Sequence, residues 1–126
     1  MHNISETPYH ALKRIFHEPN RMAIVSALCA ERRGLTFLQL KRECGLTDGN
    51  LSRHLKALED AGMIDIRKHF VGSRPRTTIH MTDSGRDGFV DYLKALEEVL
   101  KQAAAALGSE SERDARMPGN IKTAQA

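Results

Sequence analysis

Apolar residues recur at helical spacing through the first 62 positions, alternate over the next twenty, and return to helical spacing after residue 82. Behind Thr7-Pro8, a capping residue followed by proline at the first helical position, Leu12, Ile15 and Phe16 share one face and predict a short helix to about His17. Glu18-Pro19 repeats that start, and Ile24, Ala27, Leu28 and Ala30 form a second stripe ending at Glu31-Arg32-Arg33 and Gly34. Thr36-Phe37-Leu38-Gln39 matches a capping box, in which hydroxyl and amide satisfy two otherwise unpaired backbone donors, so a third helix begins at Thr36. It turns Phe37, Leu40 and Cys44 inward and stops at Gly45, the residue best able to take a left-handed cap.

Only Gly45 and Leu46 separate that stop from Thr47, which caps a fourth helix whose Leu51, Leu55 and Leu58 keep helical spacing to Gly62. Two helices joined by so tight a turn, with Leu46 plugging the angle, form a helix-turn-helix. The period then changes. Ile64, Ile66 and Phe70 alternate with Asp65, Arg67 and His69 as in a half-buried strand, Gly72 to Arg76 breaks it, and Thr77 to Met81 alternates again. The pair predicts an antiparallel hairpin with a basic tip. Thr82 caps a last helix in which Phe89, Leu93, Leu96, Leu100, Ala103 and Leu107 are spaced as a heptad seam. From Gly108 the composition turns polar, and residues 108–126 are expected to be a disordered tail. The reading is one α+β, mainly α domain at 1–81, with a two-stranded wing, followed by a long C-terminal helix at 82–107.

Charge sharpens this picture. Residues 1–81 hold 13 Lys/Arg against 8 Asp/Glu, and residues 82–126 hold 6 against 8, so a basic body of +5 precedes an acidic segment of −2. That asymmetry points to a polyanion at the body, nucleic acid first of all. The longest apolar run, Ala103 to Leu107, is far short of the about 20 residues of a membrane helix, and Met1 to His10 lacks a signal-peptide core. A cytoplasmic location with no membrane partner follows. Cys29 and Cys44 lie in apolar helical contexts and read as core thiols in a reducing compartment.

Several separated stretches then agree in order and spacing: His17-Glu-Pro-Asn-Arg21, Leu46 to Leu55, Leu58-Glu-Asp-Ala-Gly62 and Arg74-Pro-Arg-Thr-Thr78. With them the chain resembles the small winged helix-turn-helix transcriptional regulators of bacteria and archaea related to the arsenic-repressor (ArsR) and multiple-antibiotic-resistance (MarR) families, over roughly residues 8–105. The resemblance implies a homodimeric repressor or activator that binds double-stranded DNA, with the fourth helix, about 47–61, in the major groove and the wing, 67–78, on flanking DNA.

The residues support this independently. Opposite the leucines the fourth helix presents Asn50, Arg53, His54 and Ala57, while Thr47, Asp48, Gly49 and Ser52 occupy its start. Arg53 can bond guanine at two atoms and Asn50 can do the same for adenine. Arg67, Lys68, Arg74, Arg76 and Thr77 supply the wing with the cations that phosphate or minor-groove contact requires. The seam from Phe89 to Leu107 is longer than one packed face needs and predicts a dimer interface. Cys44 has no second Cys within three residues and the last helix has no His, so no metal site is expected. Neither cofactor nor catalytic constellation is expected, and the chain reads as a non-enzyme. Two other readings stay open: a winged-helix protein interaction module, for which Arg53, Arg74 and Arg76 together have no use, and a ligand-sensing regulator with an apolar pocket for an unknown effector.

Overall fold

The computed structural model describes residues 8–116. Its element order is α1 (Pro8–Phe16), α2 (Pro19–Cys29), β1 (Leu35–Thr36), α3 (Phe37–Cys44), α4 (Asp48–Asp60), β2 (Ile64–Val71), β3 (Arg74–Met81) and α5 (Asp83–Arg116). The predicted caps are in place. Thr36 Oγ1 accepts from Gln39 N at 3.1 Å while Gln39 Oε1 accepts from Thr36 N at 2.9 Å, and Gly45 closes α3 at φ 64°. Thr47 Oγ1 accepts from Asn50 N at the start of α4, and the Glu18 carboxylate accepts from Arg21 N at the start of α2. The Thr7 cap of α1 lies outside the described residues.

Four expectations are corrected. α2 stops at Cys29, short of Gly34, because Glu31 N bonds to Leu28 O and Gly34 N to Glu31 O in successive tight turns that lead into a strand. That strand, β1, is the second difference: it pairs Leu35 with Ile79 and Thr36 with Thr78, giving a three-stranded antiparallel sheet in the order β1-β3-β2. Third, Arg74 to Arg76 do not break the hairpin. Only Gly72 and Ser73 make the turn, and β3 starts at Arg74 opposite Val71. Phe70, expected on a half-buried face, is 71% exposed, because the far end of the hairpin has outrun the helices that cover Ile64 and Ile66. Fourth, α5 continues past Leu107 to Arg116, since Gly108 costs about 1 kcal/mol but does not end a helix that helix-forming residues such as Glu110 and Glu112 prolong. Residues 117–126 of the expected tail lie outside the described residues.

The chain divides into two compact units, Met1–Tyr92 and Leu93–Ala126, so the body takes in the first turns of α5. Its core gathers Phe16 of α1, Ile24, Val25 and Leu28 of α2, Leu40 of α3, Leu51, Leu55 and Leu58 of α4, Ile64 and Ile79 of the sheet, and Phe89 and Tyr92. Phe16 meets the Phe89 ring edge-on at 5.1 Å and the Tyr92 ring at 5.7 Å, and the Tyr92 hydroxyl reaches His17 Nδ1 at 2.5 Å. The start of α5 is fixed to the end of α4: Thr82 Oγ1 donates to Gly62 O at 2.8 Å and accepts from Gly85 N at 2.9 Å. A Cβ on Gly85 would stand 2.1 Å from Met63 O, so this crossing needs glycine.

Candidate nucleic-acid interface

The burial of Leu51, Leu55 and Leu58 fixes the rotation of α4, and with it the residues that face out. Thr47, Asp48, Gly49, Asn50, Ser52, Arg53 and Lys56 are exposed along its opposite side. The Arg53 guanidinium donates to Asn50 Oδ1 at 3.1 Å, so these two exposed side chains stand as a linked pair. Asp48 pairs with Lys41 of α3 at 2.9 Å, which ties the two helices of the motif together at their open edge and offsets a carboxylate that phosphate would repel. Gly49 has nothing within 4 Å of where a Cβ would stand, so packing within this chain does not demand it. Lys56 was missed by sequence reasoning, although it stands three residues beyond Arg53; it pairs with Asp60 at 3.1 Å.

His54 is corrected: it is 3% exposed and does not stand on the outward face. Its Nδ1 accepts from Arg21 Nε at 3.4 Å and lies 3.9 Å from Glu18 Oε1, while Arg21 also donates to the terminal carbonyls of α1 at Arg14 and Ile15. Burial pushes the imidazole below its ordinary value, with Arg53 and Arg21 acting in the same sense against an opposing pull from Glu18. His54 therefore joins α4 to the α1–α2 junction. Its place three residues after Leu51 and four before Leu58 was the available signal.

The wing residues divide between two faces because successive strand residues point oppositely. Lys68 and Thr77 share a groove of about 300 Å³ with Ser52, Leu55 and Lys56 of α4, so they stand beside that helix. Arg67 faces the other side, across from Thr78 and 3.5 Å from Asp65. Arg74 is at the turn, and Arg76, opposite His69, borders a second groove against the first turn of α3. Pro75, which has no N–H to give, lies on β3 beyond the reach of β1.

Burial pushes both cysteine thiols above their ordinary range, against Arg86 at Cys29 and reinforced by Glu43 at Cys44, as suits packing groups rather than nucleophiles. Among the described residues no three His, Cys, Asp or Glu are gathered as a metal ion would need, and no helix is long and apolar enough to cross a membrane.

Known proteins resemble the chain in sequence and in fold. The chain is 34% identical over 91 residues to an uncharacterized protein of Methanocaldococcus jannaschii, covering 70% of this chain and 95% of that one. It is 30% identical over 92 residues to the uncharacterized HTH-type transcriptional regulator YdgJ of Bacillus subtilis, covering 69% of this chain and 56% of that regulator, so it spans just over half of YdgJ. A transcriptional regulator homologue from Pyrococcus horikoshii superposes with a TM-score of 0.69 at 28% identity, over 76% of this chain and 96% of the other. Two structures share the fold alone: MepR of S. aureus in complex with DNA (TM-score 0.58, 20% identity, 83% and 88% covered) and a regulator assigned to the MarR family from Porphyromonas gingivalis (0.59, 23%, 82% and 96%). The sequence family described as the winged helix DNA-binding domain matches residues 20–100, from the start of α2 into α5. With that match laid over the helix-turn-helix, the hairpin and the outward Asn50–Arg53 pair, the chain belongs to the winged helix DNA-binding domain family and has the fold of MarR-like transcriptional regulators.

Proposed function

We propose that the chain is a cytoplasmic, homodimeric, sequence-specific transcriptional regulator that lays α4 in the major groove and its wing on flanking DNA. The observation that carries this reading is the outward face of α4. Arg53 and Asn50, side chains suited to guanine and adenine edges, stand exposed and linked there, with their helix anchored from behind by three buried leucines. Thr47, Gly49 and Ser52 surround the helix N-terminus, where exposed N–H groups and the helix dipole suit a phosphate. Lys68, Arg74, Arg76 and Thr77 would meet the backbone beyond. That MepR, of the same fold, is known in complex with DNA supports this.

Dimerisation is proposed from α5. Leu93, Leu100 and Leu107 remain exposed on the single chain, and at heptad spacing with Leu96 and Ala103 they suit a second copy of the same helix, whereas Phe89, the first residue of the expected seam, is buried against Phe16 instead. One winged helix covers one half-site, and a twofold pair supplies the specificity that many competing genomic sites demand. In this reading residues 1–81 bind DNA and residues 82–107 assemble the dimer.

Selection of bound sequences from random duplex DNA tests the proposal. A preferred motif with two inverted half-sites is expected. Recovery of no preferred sequence would favour the protein-interaction reading instead.

A further inference from the structure

On the side of the sheet turned away from α4, Arg33, Arg67, His69, Thr78 and His80 line a concavity of about 360 Å³. Three segments converge on it. Arg67 and His69 come from β2, Thr78 and His80 from β3, and Arg33 from the turn that precedes β1. That turn lies close against the His80 ring: a Cβ on Gly34 would stand 2.6 Å from His80 Nε2 and 2.7 Å from Ile79 O, and its φ is 84°. Glycine is what allows the turn to bring Arg33 there. His80 Nδ1 is buried and has no hydrogen-bond partner, an exception to the rule that buried polar atoms are satisfied.

The lining residues are all polar, with apolar stems between their donor groups. Each of the five lining residues carries an N–H or O–H donor, and the acidic groups near them are Asp65, 3.5 Å from Arg67, and Glu31, whose carboxylate accepts from Arg33 N at 3.3 Å. A planar carboxylate is satisfied by one guanidinium fork, whereas donors arriving from a turn and two strands suit an anion with oxygens in several directions. We propose that this concavity is a phosphate site, built by Arg33, Arg67, Thr78 and His80. A phosphomonoester carries about 1.5 to 2 negative charges at pH 7 and three strong acceptor oxygens, which two arginines and the neighbouring donors match, and a backbone phosphodiester presents one charge and two free oxygens to the same donors. The concavity opens to solvent, so a phosphoryl group seated in it is free to be part of a larger body. That body is either a free phosphomonoester or the backbone of a nucleic acid lying along the outer face of the wing. The site depends on neither the bases read by α4 nor the dimer.

Titration of the full, isotopically labelled chain with inorganic phosphate, at ionic strength held constant with chloride, tests this by amide NMR. Saturable shifts centred on Gly34, Thr78 and His80 are expected, and they vanish in the double variant Arg33→Gln/Arg67→Gln, whose remaining spectrum overlays the parent. The same variant on a random-sequence duplex at two salt concentrations separates the sources. An unchanged salt slope assigns the site to a free phosphate compound, and a slope reduced by about one unit per arginine assigns it to backbone phosphate. Absence of saturable shifts together with an unchanged slope overturns the proposal, as do shifts that survive in the variant. Should the parent bind no duplex at all, the function proposed above fails and the phosphate titration alone decides this one.

Discussion

Between Asp83 and Tyr92 one face of α5 is covered: Gly85, Phe89 and Tyr92 are buried, the two rings against Phe16, while Val90 points outward. From Leu93 onward the seam opens: Leu96 is still half-buried, and Leu100 is 59% and Leu107 67% exposed. One heptad seam runs through both stretches, so periodicity announces that a face is to be covered and is silent about what covers it. The same division recurs on α4, where His54 is covered and its neighbour Arg53 is open. Covered positions should report on folding, and open ones only when a partner is present.

The sharpest test sets Phe89 against Leu100. Phe89→Ala removes a buried ring and should lower unfolding free energy by about 3 to 5 kcal/mol in urea titration, at any protein concentration. Leu100→Asp should leave that monomer stability nearly unchanged and act on assembly. Burial of the remaining three-fifths of a leucine, counted in both copies, is worth about 2 to 4 kcal/mol, seen by sedimentation as a folded monomer that binds a palindromic site no better than a half-site. An intact dimer for Leu100→Asp and Leu96→Asp alike would erase the contrast and leave the open stripe as an ordinary helix surface.

Next in size is Arg53. Its replacement by Ala should cost about 1 to 3 kcal/mol on the selected sequence, relax preference at one position per half-site, and change random-duplex affinity much less. Equal losses on both DNAs, measured by anisotropy titration, would reassign Arg53 to a phosphate.

How much of this is readable from the sequence follows from the range of the interactions concerned. The Thr36–Gln39 capping box, the Thr47 cap and the Gly45 stop are written in four or five consecutive residues, and each stands where the local pattern puts it. β1 is invisible there because two residues carry no period, and its only reason to be extended is the distant pairing of Leu35 with Ile79. Phe70 shows the converse: alternation continues after the covering helices have ended. His54 has the spacing of a covered position, but its polarity argues for an outward one, and the partners that decide the matter, Arg21 and Glu18, lie over thirty residues away. Concavities such as the one beneath Arg33 depend on which strands neighbour which turn, and no local pattern encodes that.

His54 offers a covered position that titrates. Its folded-state pKa is held below the ordinary 6.5 chiefly by burial, so the unfolded chain takes up its proton first as pH falls. The stabilisation is full above about pH 6.5 and is lost as pH drops from there to the folded-state value, at no more than about 1.4 kcal/mol per pH unit for one proton. Replacement His54→Gln should flatten that part of the stability profile, and a profile of unchanged slope would assign the dependence to other groups.

The smallest effect belongs to the exposed cations at the wing turn. Arg74→Ala removes a side chain that nothing in the chain covers, so unfolding in urea should not change measurably. Removing one cation from one phosphate lowers the salt slope by about 0.9, which over a fourfold rise in salt amounts to about a 3.5-fold difference in affinity. Because pairing with a phosphate carries no sequence information, the weakening should be equal on the selected site and on random duplex, unlike that of Arg53→Ala. Arg76→Ala, one step nearer the body, should behave alike, and the double variant should add, since each arginine releases its own counterions. Anisotropy titrations at two salt concentrations resolve a change of this size. A slope unaltered in both single variants and in the double variant would take the wing turn off the DNA and leave α4 as the part of the body that still touches it.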